Sequence, residues 1–215
     1  MIKVSAFRSV PPFAQGLVRD MRVRWALEEA GIPYEAELID FGENKTDDYR
    51  HLQPFGQVPY YREGDLVLFE SGAIVLHIAA KSETLMPDDA AGRAHVTQWV
   101  LAALNSVEPQ VQNLATIDLF NAETAWGKER RPEAEEQVLA KLDVLDKRLS
   151  ERDYLEGRFT AADILMVTVL RILRHTDLVS RFPALNAYVA RSEARPAFCR
   201  ALSAQIAPFE EAVAA

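Results

Sequence analysis

Residues 53–78 read QPFGQVPYYREGDLVLFESGAIVLHI, and two features of this stretch set the reading of the whole chain. Pro59 stands where an apolar strand opens, and a proline is tolerated there only at an edge, a first position or a bulge because it removes a ladder donor. Glu70-Ser71-Gly72 precedes a short helix, Gly72 to Ala80, with almost no polar residue of its own. Between them VPYY and LVLFE read as two short strands about Glu63-Gly64-Asp65, a turn in which glycine supplies a positive φ.

Upstream, IKVSAF (Ile2–Phe7) alternates apolar and polar side chains as a strand does. LVRDMRVRWALEEAG follows as a helix, with Leu17, Met21 and Trp25 four apart on one face and Gly31 and Pro33 as stop signals. YEAELIDF (Tyr34–Phe41) is a second strand, and a polar segment without periodicity leads to Gln53. The first strand–helix–strand unit predicts a right-handed parallel crossover and the hairpin adds antiparallel strands. The expectation is an α/β domain built on a four-stranded mixed sheet with helices on its faces.

From about residue 88 onward there is no strand signal. The helical pattern 88–120 is interrupted by Pro109, which predicts a kink or break. A further helix is expected to start at Pro132, with Glu133, Glu135 and Glu136 at its positive end and Val138, Leu142 and Leu145 on one stripe. In FTAADILMVTVLRIL, Thr160 and Asp163 hold the spacing of a capping box, and Phe159 with Ile164 that of a hydrophobic staple. That helix is apolar nearly all round and belongs inside a bundle. The domains predicted are 1–81, a linker at 82–91, and an all-α bundle over 92–215.

Composition narrows the function. The charge is −8 (24 Lys and Arg against 32 Asp and Glu), which argues against nucleic acid or an anionic membrane as the main partner. Arg19, Arg22 and Arg24 fall at helical spacing and read as a solvated face or a small anion contact. One cysteine, Cys199, excludes an internal disulfide and reads as a small buried hydrophobe, while His51, His77, His95 and His175 lack metal-ligand spacing, so no metal is expected. The start MIKVSAFRSVPPF has no signal-peptide core, and the longest apolar run, from Ile164, is too short for a bilayer and carries Arg171. A cytoplasmic location follows as the expectation.

Four segments in order, QPFGQVPYY, FESGAI, YLEGRFTAADI and FPALNAYVARSEARPAF, resemble the cytosolic glutathione S-transferase superfamily in its bacterial form, over almost the full chain. RVRWALEEAGIPYE resembles first helices of several of its classes, and the segment ahead of it is longer than usual. The resemblance implies a thioredoxin-like first domain and a helical second one, glutathione as co-substrate along the first domain, and a small apolar electrophile between the domains. It also implies a homodimer and a role in detoxification.

On this resemblance Pro59 takes the place of a cis-proline, which turns the backbone N–H and C=O of Val58 outward toward an extended peptide. Glu70 and Ser71 take the place of the pair that holds the γ-glutamyl end: Ser71 caps the helix, whose free N–H groups receive a carboxylate, and Glu70 pairs with the ligand's ammonium. Gln57 is a further contact. Read without the resemblance, Glu70-Ser71 is a plain helix start.

Favouring thiolate over thiol by about two pKa units takes nearly 3 kcal/mol. The loop after the first strand holds neither cysteine nor tyrosine, so Ser9 is the hydroxyl expected to donate to the sulfur, with backbone N–H groups near Pro12 and Phe13 as the alternative. Phe13, Trp99, Asn105 and Trp126 are candidates for the electrophile site. The function expected is conjugation of glutathione thiolate to an apolar electrophile. A non-catalytic glutathione-binding or protein-interaction module, or a glutathione-dependent isomerase or lyase, is the alternative.

Overall fold

The computed structural model describes residues 1–214, with side chains to residue 210. The chain divides into two compact units, Met1–Pro87 joined by the segment from Ala194 on, and Asp88–Glu193.

The first unit carries a four-stranded sheet in the order β2-β1-β3-β4. Strand β1 (Ile2–Phe7) pairs in parallel with β2 (Tyr34–Ile39), Ile2 opposite Tyr34, and antiparallel with β3 (Tyr61–Glu63). Strands β3 and β4 (Leu66–Leu68) close a hairpin in which Gly64 takes φ 60° at the turn. This is the mixed sheet expected from the pattern. Helix α1 (Asp20–Ala30) makes the crossover and ends at Gly31 in the left-handed conformation, whose N–H reaches back to Glu28. Helices α2 (Asp47–Leu52) and α3 (Ser71–Ala79) follow. Val4, Val23, Trp25, Leu27, Ile74, Val75 and Ile78 are wholly excluded from water and form the core of this unit.

Three expectations for this unit change. Helix α1 begins at Asp20; Leu17 lies in a run of turns that follows a single 3₁₀ turn at Pro12–Ala14, because two successive prolines and Gly16 at φ 75° break the chain there. Arg22 and Arg24 are 3 % and 2 % exposed, so they form no solvated face. Arg24 is paired with Asp20 at 2.7 Å, one turn away.

The third change concerns the chain end, expected within the helical bundle over 92–215. Helix α9 (Pro196–Ala214) instead packs on α1. Arg195 grips Glu29 with two bonds of 2.6 and 2.7 Å, Arg200 meets Glu28 at 2.7 Å, and Trp25 meets the Phe198 ring edge-on. Gln205 donates to Asp20 at 2.7 Å and to the Val18 carbonyl at 3.2 Å. Cys199, expected buried, is exposed on this helix because the side facing α1 is taken by Phe198 and Ala201.

The second unit is all-helical: α4 (Ala90–Leu101), α5 (Glu108–Phe120), α6 (Ala125–Leu149), α7 (Ala161–Leu170) and α8 (Pro183–Glu193). Pro109 sits at the start of α5. It cannot donate to the Asn105 carbonyl, and the chain ahead of it widens into a π-helical turn over Ala102–Val107. Helix α6 does not begin at Pro132 but at Ala125, because Thr124 caps it by accepting from the Gly127 N–H at 2.9 Å, and Pro132 is inside. A side chain at Gly127 would strike the Asn121 carbonyl at 1.9 Å, so only glycine fits this tight helix entry. Glu135 accordingly lies mid-helix, between Arg131 and Arg181.

Helix α7 is buried on every side and opens with the capping box of Thr160 and Asp163. The Asp163 carboxylate accepts from the Thr160 and Leu155 N–H groups and from the Tyr188 hydroxyl, at 2.8 to 3.0 Å. Burial nevertheless pushes its carboxyl up to about 6, against those hydrogen bonds. No helix among the described residues is long and apolar enough to cross a membrane.

Candidate functional site

The Val58–Pro59 bond is cis. The Val58 side chain is buried against Ile39, Tyr49 and Tyr60, with Phe7, Val18 and Leu52 at the edge of the same cluster. Burying such a side chain is worth roughly 1.5–3 kcal/mol, enough to fix its position. Among the described residues the Val58 N–H and C=O make no backbone hydrogen bond. An apolar anchor therefore holds the residue, and its peptide groups stay outside the backbone ladder.

A relay of polar groups fixes the loop around it. The Tyr60 N–H donates to Ser5 Oγ at 2.8 Å, and Ser5 Oγ lies 2.8 Å from Tyr49 Oη. The Tyr49 hydroxyl donates to the Gln57 carbonyl at 2.8 Å, which leaves the Ser5 proton to serve Tyr49. Burial pushes the Tyr49 phenol up to about 12, so it keeps the proton this relay needs. Gln53 Oε1 accepts from the Gln57 N–H at 3.1 Å, and the Asn44 amide donates to the Gly56 carbonyl at 2.6 Å. Both backbone groups of Gln57 are thus held, and its side chain is exposed. Gly56, at φ 60°, is required here: a Cβ would stand 2.7 Å from the Asn44 carbonyl oxygen.

Glu70 precedes α3 at φ 67°, ψ 113°, a conformation that costs a residue with a Cβ about 1–3 kcal/mol. It occupies the capping position and makes no side-chain cap. Ser71 was expected to cap this helix and does not, because it is the first helical residue. Its buried hydroxyl accepts from Arg22 Nη1 at 3.1 Å. The start of α3 thus presents helix N–H groups, an exposed carboxylate and a serine backed by a cation.

Ser9 is exposed in the unstructured segment after β1, and its hydroxyl makes no hydrogen bond among the described residues. In the turn that follows, Pro12 has no N–H, and the N–H groups of Ala14 and Gln15 are taken by the Pro11 and Pro12 carbonyls. Phe13 is 46 % exposed on this turn.

The remaining candidates lie in the second unit. Trp99 is spent on a structural cluster: its indole N–H donates to Glu156 at 2.8 Å while the Arg148 guanidinium lies 5.4 Å over its ring and also reaches Glu156. Asn105 is exposed in the π-helical turn, and Trp126 is half exposed in the first turn of α6. Among the described residues no three His, Cys, Asp or Glu side chains group closely enough to hold a metal.

Sequence reasoning missed Ser5, Asn44, Tyr49 and Gln53, and offered Arg22 only as part of a solvated face or a small anion contact. No local pattern marks them, since each is defined by a partner 4 to 55 positions away. Ser5 carried the one usable signal, a hydroxyl in the middle of a strand that the sheet order places between two others.

Two family models match the chain: the N-terminal domain of glutathione S-transferase over residues 15–80 and its C-terminal domain over residues 79–196. A glutathione S-transferase of Hyoscyamus muticus is 32 % identical over 194 residues, covering 85 % of this chain and 92 % of that protein. Among solved structures, a glutathione transferase of Burkholderia graminis with two glutathione molecules bound per subunit is 30 % identical, with TM-score 0.81 over 94 % of this chain and 87 % of that one. Glutathione transferase F2 of Populus trichocarpa is 25 % identical, with TM-score 0.83 over 96 % and 100 %.

Proposed function

Because this chain belongs to the glutathione S-transferase family, we propose that it conjugates the thiolate of glutathione to a small apolar electrophile, acting in the cytoplasm as a homodimer in detoxification. The observation that carries this reading is the pair of unspent features on the first unit. One is the pair of Val58 peptide groups at the cis bond, which make no backbone hydrogen bond, and the other is the Glu70-Ser71 start of α3. An extended γ-linked tripeptide has a backbone for the first and a charged head for the second. Its α-carboxylate goes to the helix N–H groups and Ser71, and its ammonium to Glu70. Gln57 adds a side-chain contact.

Ser9 donates to the sulfur. A hydroxyl on a thiolate is worth about 1.5–3 kcal/mol, most of what a shift of about two pKa units needs. Ser9 is unengaged and exposed, so its hydroxyl is open to a ligand. Phe13, Asn105 and Trp126 have exposed side chains and stay candidates for the second substrate, while Trp99 is held by Glu156.

Titration of bound glutathione by thiolate absorbance tests this reading. The expected pKa lies about two units below the free thiol, and Ser9→Ala lowers turnover about tenfold or more while affinity holds. An unshifted pKa removes the conjugation mechanism, and an unchanged Ser9→Ala rate removes Ser9 from it. A second reading has one observation behind it, the two glutathione molecules per subunit in the Burkholderia relative: the second substrate itself carries a glutathionyl group. Tight inhibition by glutathione disulfide, competitive against the electrophile, would distinguish it.

A further inference from the structure

Arg22 is the third residue of α1 and is 3 % exposed, yet its guanidinium reaches across to the first residue of α3, where Nη1 donates to Ser71 Oγ at 3.1 Å. A hydroxyl has one proton and two acceptor lone pairs. With a lone pair engaged by a guanidinium N–H, the Ser71 proton is left for an acceptor. Among the described residues the Ser71 hydroxyl makes no side-chain hydrogen bond besides the one from Arg22. The cation behind the oxygen strengthens that outward bond and adds its charge to the positive end of α3.

We propose that Arg22 is a positioning residue that commits Ser71 to donating and thereby makes the start of α3 selective for a carboxylate. On the reading above, that carboxylate is the α-carboxylate of the γ-glutamyl group. Arg22 acts through Ser71 without touching the ligand. Neither residue is replaceable by packing alone: an apolar side chain at position 22 fills space but leaves the hydroxyl free to rotate.

Calorimetric titration with two ligands tests this. One is glutathione, and the other is 4-aminobutyryl-cysteinyl-glycine, which lacks only the α-carboxylate. Wild type is expected to prefer glutathione by about tenfold or more, the range of a charge-assisted hydrogen bond. Arg22→Gln is expected to weaken glutathione about tenfold and the decarboxylated ligand less than about twofold. Arg22→Lys, which keeps a cationic donor, retains part of the preference. Equal losses for both ligands in Arg22→Gln overturn the proposal, since a packing defect does not distinguish them.

If Arg22→Gln melts before it can be titrated, Arg22→Lys in a Ser71→Ala background decides. The lysine lowers the preference about two- to fivefold when Ser71 is present and leaves it unchanged when Ser71 is absent. The same drop in both backgrounds overturns the proposal. Wild type that binds neither ligand refutes the glutathione reading itself, whereas wild type that binds both equally refutes only the carboxylate selectivity.

Discussion

Ser5→Ala removes one oxygen atom and tests whether the relay beneath the Val58 loop is structural. Ser5 is wholly buried on β1, accepts from the Tyr60 N–H at 2.8 Å and lies 2.8 Å from Tyr49 Oη. Alanine leaves the Tyr60 N–H without an acceptor in a buried place, at a cost of about 1–3 kcal/mol. The Tyr49 hydroxyl keeps its bond to the Gln57 carbonyl, so its share of the loss is at most one net bond, about 0.5–1.5 kcal/mol. The sum centres near 2–3 kcal/mol, which in a chain of this size lowers Tm by about 5–10 °C. Urea denaturation should show the midpoint falling at constant m-value. In a cycle with Tyr49→Phe, the two changes should couple by about 1 kcal/mol because they share one bond. A loss under about 0.5 kcal/mol, or strict additivity in the cycle, refutes the relay.

Glu70 separates strain from binding. Glu70→Gly relieves a backbone held at φ 67° and should raise stability by about 1 kcal/mol after the entropy of glycine is subtracted, while glutathione affinity falls about tenfold or more. Glu70→Ala should lose the same affinity without the gain in stability; equal stabilities for the two variants would refute the strain. Glu63 governs acid stability in the first unit. Its carboxylate is held down to about 2 by hydrogen bonds from Lys81, His77 and Tyr61. A lowered folded pKa contributes stability above the unfolded value near 4.5 that is lost as pH falls toward 2. With the side chain 40 % exposed, screening holds this to about 1 kcal/mol. Denaturation between pH 5 and pH 2 should therefore fall less steeply in Glu63→Gln than in wild type, and parallel curves would refute it.

The order of strands and helices was legible because each rests on local chemistry: the alternation in IKVSAF, the glycine of the β3–β4 hairpin, the Thr160–Asp163 spacing. So was the cis bond at Val58–Pro59, since QVP marks it within three residues. Start points were harder. Pro132 carries the signal of a first turn, yet Thr124 and Gly127 begin α6 earlier through a contact with Asn121 that no propensity contains. Ser71 looked like a cap by residue type, and only the conformation of Glu70 shifts it one place into the helix. Arg22 read as a solvated face or a small anion contact because its partner Ser71 lies 49 positions away; Arg24 has Asp20 one turn away, but the Ala204 carbonyl it also reaches lies 180 positions away. Everything in the site that depends on such distant partners was hidden for the same reason.

The return of α9 onto α1 also sets a timetable. Residues 1–87 leave the ribosome before Gln205 and the Ala204 carbonyl, which satisfy Asp20 and Arg24 on α1. The 116 residues between Pro87 and Ala204 (203 − 87) take on the order of 6–23 s to synthesise at about 5–20 residues per second. Through that interval the nascent first unit holds an ion pair whose cover has not been made. A stop codon ahead of Ala194 would therefore produce Val58, Glu70 and Ser71 without the helix that covers the Asp20–Arg24 pair on α1.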